Sequence, residues 1–406
     1  MELRELLRES LRTLRAHGLR SFLTLLGIII GVTTLVGVVA VISGLNGYVM
    51  EKVFALAPDV FVVSKFGIIR SHEEMLAALK RPNLDWHDLE RIRPLLRRAE
   101  QVGGSASSTL TVKYRDHRLA DVVIYGTTAN YARMLQLDLA TGRFFLDSEA
   151  HAAQAVTVIG WDVKDELFAQ VDPIGRTMLI GGFPYRVIGL IAKQGNVLGQ
   201  SRDNQLFVPL DNYRKTFGRR GSLNIFIQAK GGVAGIDAAA DEARAVFRAL
   251  RHTAFKAPDP FGLVTAGSLE TLWRQISAAA FILSLLIASV SLGIGGIVIM
   301  NIMLVAVVER TQEIGLRRAL GARKRDIRRQ FLLESALLSV AGGLVGVLLG
   351  SLIALLVNNV LHFPARPGLG IVLAGLALSG GVGLLAGYWP ARTASNLMVV
   401  DALRAE

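Results

Sequence analysis

Four stretches of this 406-residue sequence contain no Asp, Glu, Lys or Arg: residues 21–50, 275–308, 335–365 and 367–391. A helix that crosses the hydrocarbon core of a bilayer needs about 20 apolar residues, so each stretch is long enough to span. The first two exceed the requirement, and their outer ends are expected to continue beyond the lipid as stalks. The third breaks near Asn358 to Pro364. The first run is read as a permanent span. Its apolar part far exceeds the about 7–15 residues of a secretory leader, and no small-x-small site closes it.

A net charge of +12 raises the question of nucleic acid. Its distribution points instead to topology, because the densest basic excess flanks the apolar runs. Arg4, Arg8, Arg12, Arg15 and Arg20 precede the first span, and a basic cluster from Arg310 to Arg329 separates the second from the third. Cytoplasmic loops carry such an excess. The expected orientation therefore places both flanks and both termini in the cytoplasm, with 51–274 and the short turn 359–368 outside. No nucleic-acid partner is expected. Leu3, Leu6, Leu7, Leu11 and Leu14 recur at helical spacing opposite arginines. This pattern reads as an interfacial helix over 1–20, or as a plain extension of the first span.

Small residues recur four apart inside the spans: Gly27/Gly31, Ser289/Gly293, Gly346/Gly350 and Ser379/Gly383/Gly387. Close helix contact in lipid uses such pairs, so Gly27, Gly31, Gly293, Gly346, Gly350, Gly383 and Gly387 are candidate packing positions. The span cores hold no Asp, Glu, Lys or Arg, which argues against a pump or transporter with a midplane charge site.

Residues 51–274 alternate short Val/Ile/Phe-rich runs with helical ones, bounded by Gly, Pro or Asp. Strands are expected over 59–64, 109–115, 121–127, 155–159, 177–180, 185–192, 205–209 and 224–229. Helices are expected over 129–136, 161–168, 211–217 and 233–250. Gly181-Gly182-Phe183-Pro184 reads as a hairpin turn. The fold class is thus an integral membrane α-helical protein with four transmembrane helices and a large extracytoplasmic α/β domain. Its division is 1–20, 21–50 (first span and stalk), 51–274 (external domain), 275–308 (stalk and second span), 309–334, 335–358, 359–368, 369–391 and the tail 392–406.

Nothing in the sequence assembles a catalytic centre. The external histidines (His72, His87, His117, His151, His252) are scattered, without metal-ligand spacing. Asp85, Asp88 and Glu90 beside Trp86 read as a solvated helix start. There is no cysteine, so no disulfide or thiolate chemistry. The phosphate-cradling G-x-x-x-x-G-K-[ST] loop is absent. Leu378-Ser379-Gly380-Gly381 resembles the opening of an ABC ATPase signature, yet lies in an apolar run that ATP cannot reach. No catalytic residue, cofactor or metal is expected, and energy from ATP must come from another subunit.

The segment 309–330 carries eight basic and three acidic side chains between two spans. Thr311 to Leu320 is helix-compatible, Gly321 is a natural stop, and a second helix is expected over 324–333. Glu313 and Arg317 stand at i,i+4 and can pair. The segment reads either as a docking surface for a cytoplasmic partner or as charge that merely fixes topology. Arg323, Lys324 and Arg325 are arranged like a juxtamembrane lipid-headgroup cluster.

These residues resemble the MacB/FtsX-type ABC transporter permeases. The resemblance runs from Leu19-Arg20-Ser21-Phe22-Leu23-Thr24 and Gly27-Ile28-Ile29-Ile30-Gly31-Val32 through Gly142-Arg143-Phe144-Phe145 and Asp172-Pro173-Ile174-Gly175. It continues in Tyr185-Arg186-Val187-Ile188-Gly189 and Val208-Pro209-Leu210. Its strongest piece is Glu309-Arg310-Thr311-Gln312-Glu313-Ile314-Gly315 with Arg317, Ala319 and Gly321-Ala322. Pro390-Ala391-Arg392, Ala394 and Asp401-Ala402-Leu403-Arg404 complete it.

The resemblance implies a MacB-type periplasmic core domain, an FtsX-like permease domain over 275–400 and a bacterial inner-membrane location. It implies a separate ABC ATPase, a second permease copy (homodimer) or a paralogous permease, and ATP-driven movement of the external domain, called mechanotransmission. The ATPase-coupling positions it implies are Glu309, Arg310, Glu313, Ile314, Arg317, Arg318, Ala322 and Asp326.

MacB itself carries a fused N-terminal ATPase, which these residues do not match, so macrolide export is not implied. The loop 195–204 also differs from the MacB pattern, which weakens the case for an outer-membrane channel contact. A periplasmic adaptor protein would favour tripartite efflux. The expected work is export, efflux or extraction of a substrate on the outer side of the membrane. The alternatives are an FtsX-type or lipoprotein-releasing-type mechanotransmitter and, in another class, a receptor or anchor without ATPase.

Overall fold

The computed structural model describes residues 18–49, 57–169, 171–197, 200–218, 221–361, 365, 367–399 and 402. The helix expected over 1–20 lies, up to residue 17, outside the described residues. The chain divides into two compact units: Met1–Val49 with Trp273–Glu406, and Met50–Leu272. Helix α1 (Gly18–Tyr48) belongs to the first.

The second unit contains, in chain order, β1 (Val60–Ser64), α2 (His72–Lys80), α3 (Trp86–Ile92), β2 (Ala99–Tyr114), β3 (His117–Thr127), α4 (Tyr131–Met134), β4 (Leu139–Gly142) and α5 (Asp147–His151). There follow β5 (Val156–Ile159), α6 (Trp161–Phe168), β6 (Thr177–Ile180), β7 (Phe183–Ile191), β8 (Asn196–Val197), β9 (Gln200–Ser201), β10 (Gln205–Pro209), α7 (Leu210–Phe217), β11 (Asn224–Ala229), α8 (Ile236–Leu250) and β12 (Gly262–Thr265). Ten strands form one mixed sheet in the order β12-β1-β11-β2-β3-β10-β5-β7-β4, with β6 beside β2 and β7. The β10/β3 and β5/β7 pairs are parallel, and the other pairings of this sheet are antiparallel.

The alternation of β1 shows why its sequence is apolar throughout. Phe61 and Val63 enter a core with Leu84, Leu89, Ile92 and Phe247. Val60 and Val62 enter the opposite one with Tyr131, Met134, Phe145 and Phe207. A strand covered on both faces needs no polar alternate. A third core gathers Val112, Ile124, Phe168, Tyr185, Val208 and Tyr213.

Two local readings meet their geometry here. Gly181 and Gly182 have φ of 55° and 94°, which lets the β6–β7 hairpin turn tightly. The acidic cluster beside Trp86 is a helix start. Asp85 accepts from the Asp88 amide at 2.9 Å, Asp88 accepts from the Asp85 amide at 3.0 Å, and Arg251 pairs with Asp88 at 2.8 Å.

Strand β2 starts well before the 109–115 expected, since its Gly- and Ser-rich first half carries little strand propensity. A Cβ at Gly104 would stand 2.7 Å from Leu89 Cδ2, so packing of α3 against β2 selects against a side chain where propensity would favour one.

The first unit continues through α9 (Ala266–Glu309), α10 (Thr311–Ala319), α11 (Lys324–Leu361) and α12 (Leu369–Asn396). Helices α1, α9, α11 and α12 are long and apolar enough to cross a membrane. Large apolar side chains such as Leu286 and Val290 on α9 are more than half exposed, as lipid solvation permits.

Each glycine pair serves a different helix contact. A Cβ at Gly27 or Gly31 would press on Gly295 or Leu292 of α9. Gly346 and Gly350 of α11 abut Val32 and Val36 of α1. Gly383 and Gly387 of α12 leave room for the hydroxyls of Ser339 and Ser335 on α11. Those hydroxyls donate back to Ser335 O (2.8 Å) and Leu332 O (3.0 Å) within their own helix. Gly293 meets nothing within 4 Å. It lies in an open apolar groove with Gly296 and Met300 of α9 and Val382 and Leu385 of α12. At the other end of α1, the Asn46 side-chain oxygen accepts from Trp273 Nε1 (2.6 Å) and Ser277 Oγ (3.0 Å) of α9.

Candidate functional site

Helix α10 is only nine residues long, with Gly315 at its centre. An isolated helix of this length does not hold itself in water, so its surroundings must fix it. At its start Arg310 leaves helical geometry (φ −104°, ψ 20°) and separates α10 from α9. Thr311 Oγ1 then donates to Val307 O (3.0 Å) and Val308 O (2.8 Å), capping the carbonyl end of the span. At its finish Gly321 takes φ +103°, and Asp326 accepts from the Arg323 amide at 3.1 Å to start α11.

The inner face is anchored three ways. Ile314, 3% exposed, enters the core with Val307, Ile327, Phe331, Ala391 and Ala394. Gly315 approaches so closely that a Cβ there would sit 2.7 Å from the Ala402 Cβ. Arg318 Nη1 donates to Leu397 O and, at 3.4 Å, to Ser395 O. Those carbonyls belong to the end of α12, where a cation is electrostatically favoured. Lys324 Nζ adds a 3.3 Å contact to Asn396 Oδ1.

The charged residues divide accordingly. Arg310 pairs with Glu334 at 3.4 Å. Glu313 and Arg317 pair at 2.6 Å, and Arg317 also donates to Gln330 Oε1 at 2.9 Å. Glu309, Glu313 and Asp326 are exposed, while Ala322 is half-buried. The candidate positions Ile314 and Arg318 therefore point into the protein. Glu313 lies on the outward face, with half-exposed Arg317 beside it.

Two residues outside the candidate set complete that outward face. Leu316 is 55% and Leu320 81% exposed, one turn apart, with Ala319 between them. Leucines at i,i+4 beside Glu313 and Arg317 were the available sequence signal.

In the second unit, the hairpin β8–β9 within loop 195–204 is tied at its base. The Asp203 carboxylate, 2% exposed, accepts from the amides of Gln194 and Gly195, both at 2.8 Å. No group of three or more potential metal-ligating His, Cys, Asp or Glu occurs among the described residues.

The MacB-like periplasmic core domain family matches residues 21–246, and the FtsX-like permease C-terminal family matches 280–398. The chain is 33% identical over 413 residues to the macrolide export ATP-binding/permease protein MacB of Bdellovibrio bacteriovorus. That match takes in 100% of this chain and 62% of the relative, so the chain spans about three-fifths of the length of the MacB relative. It is 31% identical over 409 residues to the uncharacterized ABC transporter permease YknZ of Bacillus subtilis, covering 100% of both. The periplasmic region of MacB from Actinobacillus actinomycetemcomitans superposes on 55% of this chain and 95% of that structure, with TM-score 0.46 and 17% identity. Four apolar helices, an α/β domain and end-to-end similarity to permeases agree: the chain belongs to the MacB/FtsX-type ABC transporter permeases.

Proposed function

We propose that this chain is the membrane half of an ABC exporter or extractor whose ATP hydrolysis is carried out by a separate ATPase docked on α10. The observation that carries the reading is the pair Leu316 and Leu320, held outward on a short helix whose other face is fixed to the bundle. Basic flanks orient α10 and both termini toward the cytoplasm and residues 51–274 outward from the bacterial cytoplasmic (inner) membrane. Relatives named as joint ATP-binding/permease proteins and one named as a permease alone both match this chain end to end. That pattern supports a permease working with a nucleotide-binding partner.

In this reading Leu316 and Leu320 fill an apolar recess on the ATPase, and Glu313 and Arg317 set its register. Closure of two ATPases moves two permease copies, a homodimer or a paralogous pair. Helix α9, 44 residues without interruption, has a length of about 66 Å at 1.5 Å per residue, against about 30 Å of hydrocarbon. Such a rod carries motion past the lipid to the external domain, which handles substrate there, alone or with an adaptor.

The test is co-purification. Wild-type permease should retain an ATPase subunit and stimulate its hydrolysis in proteoliposomes, and the Leu316→Asp/Leu320→Asp variant should do neither. Equal retention and stimulation by both would overturn the reading.

A further inference from the structure

The central glycine of α10 is a puzzle on propensity alone, since Gly is among the poorest residues for a helix interior. The structure supplies a reason in space. The Ala402 methyl occupies the volume a Gly315 side chain would need, 2.7 Å from that Cβ position. Ala402 is itself 1% exposed, and its amide donates to Met398 O at 3.0 Å. One turn further along α10, Arg318 reaches the carbonyls of Ser395 and Leu397. Lys324, at the start of α11, reaches Asn396. Two of these contacts, from Ala402 and from the Ser395 and Leu397 carbonyls, meet α10 on the face opposite Leu316 and Leu320; the third ties the start of α11 to Asn396.

We propose that the end of α12 with the residues just past it, Ser395, Asn396, Leu397 and Ala402, is a splint that sets the pose in which α10 meets its ATPase, with Ala402, Gly315 and Arg318 as positioning residues. The part concerning the ATPase rests on the docking reading above; the splint itself does not. The physical argument is that a nine-residue helix with a central glycine has little stability of its own. Ile314 alone fixes a pivot, not an orientation. The Gly315–Ala402 contact and the Arg318 bonds add two further points, and three points define a plane.

The test exchanges one methyl. Wild-type, Gly315→Ala, Ala402→Gly and the double variant are purified in nanodiscs, and hydrogen exchange of the amides of residues 314–320 is followed. If the splint did nothing, Gly315→Ala would slow exchange about fourfold through helix propensity. With the splint, it overlaps Ala402 and should speed exchange about tenfold, on the scale of an overpacked contact. In the double variant, the next atoms near the new Cβ are the Ala402 carbonyl carbon and Cα at 3.5 and 3.7 Å. That is ordinary contact, and exchange should return to within about threefold of wild type on the same scale. Arg318→Met, which introduces no overlap, should also speed exchange, and Arg318→Lys should restore much of the protection.

Exchange that slows or stays unchanged in Gly315→Ala, or that the double variant fails to restore, overturns the splint. ATPase affinity is measured on the same set. If it falls and recovers in step with exchange, the positioning role is supported. If the wild type holds ATPase but affinity ignores the variants, the positioning role fails. If even the wild type holds none, the docking reading fails and the splint stands.

Discussion

The Glu313 carboxylate lies 2.6 Å from the Arg317 guanidinium, one turn along α10. Both atoms belong to the same helix, so the pair leaves an overall polarity on the outward face without consuming it. An exposed pair of this kind contributes about 0.5 kcal/mol or less to helix stability. Exchanging the two charges, Glu313→Arg with Arg317→Glu, keeps a pair within α10 and reverses the pattern shown to a partner. Membrane insertion should be unchanged and stimulated ATP hydrolysis should fall about tenfold or more, on the scale of a lost interface anchor. Proteoliposome assays check this, and stimulation at the wild-type level would reject an electrostatic role for the pair.

The leucines make a different prediction. Leu316 and Leu320 are so exposed that Leu320→Asp should change permease stability by no more than about 0.5 kcal/mol. Ile314→Asp places a carboxylate in the core and should unfold this end of the bundle. Thermal melting separates the two, and only the first should lose ATPase while remaining folded.

Glycines predict by contrast. Gly387→Ala overlaps the Ser335 hydroxyl and Gly346→Ala presses on Val32, so each should destabilise the bundle by about 1–3 kcal/mol. Gly293→Ala meets nothing and should be neutral in an isolated subunit. If it nonetheless weakens self-association in detergent, the α9–α12 groove is where a second copy sits. Stability and molar mass on the same three variants decide.

Acid should find the external domain through Glu149. Bidentate bonding from Arg143, at 2.7 Å to each oxygen, opposed by burial and aided by the Leu146 amide, holds its carboxyl at about 2 against an ordinary 4.5. A lowered value stabilises the fold above the ordinary one, and that contribution fades as pH drops from about 4.5 toward about 2. Denaturant melts between pH 6 and 2.5 should show wild-type stability falling across this window and a flatter curve for Glu149→Gln. Parallel curves would show that Glu149 does not carry the dependence.

Losing Asn46 should loosen the contact between the Asn46 end of α1 and the Trp273 end of α9. Asn46→Leu removes the shared acceptor of the exposed Trp273 and Ser277 donors, a cost of about 0.5–1 kcal/mol because water replaces it. Spin labels on the two helices should report a broader distance distribution than in wild type.

Much of this architecture could be read from residue pattern. The spans were legible because charge is so costly in lipid that its absence over 20 residues is nearly decisive. The stop at Gly321 was legible because a single backbone state, φ +103°, favours glycine. The first half of β2 was not, since Gly103 and Gly104 answer to α4 and α3, distant in sequence. The faces of α10 were half legible. Spacing alone put Glu313 beside Arg317. It could not show that Arg318 turns toward the end of α12, because that depends on a partner some 80 residues away.

The sheet order has one more consequence. Val62 stands opposite Val264 and Phe61 opposite Thr265 where β1 pairs with β12, so the polypeptide arrives and departs about 5 Å apart. Everything between is a self-contained loop hung from one doorway. A stretch that begins and ends on neighbouring strands can be lengthened or shortened without moving its two ends apart.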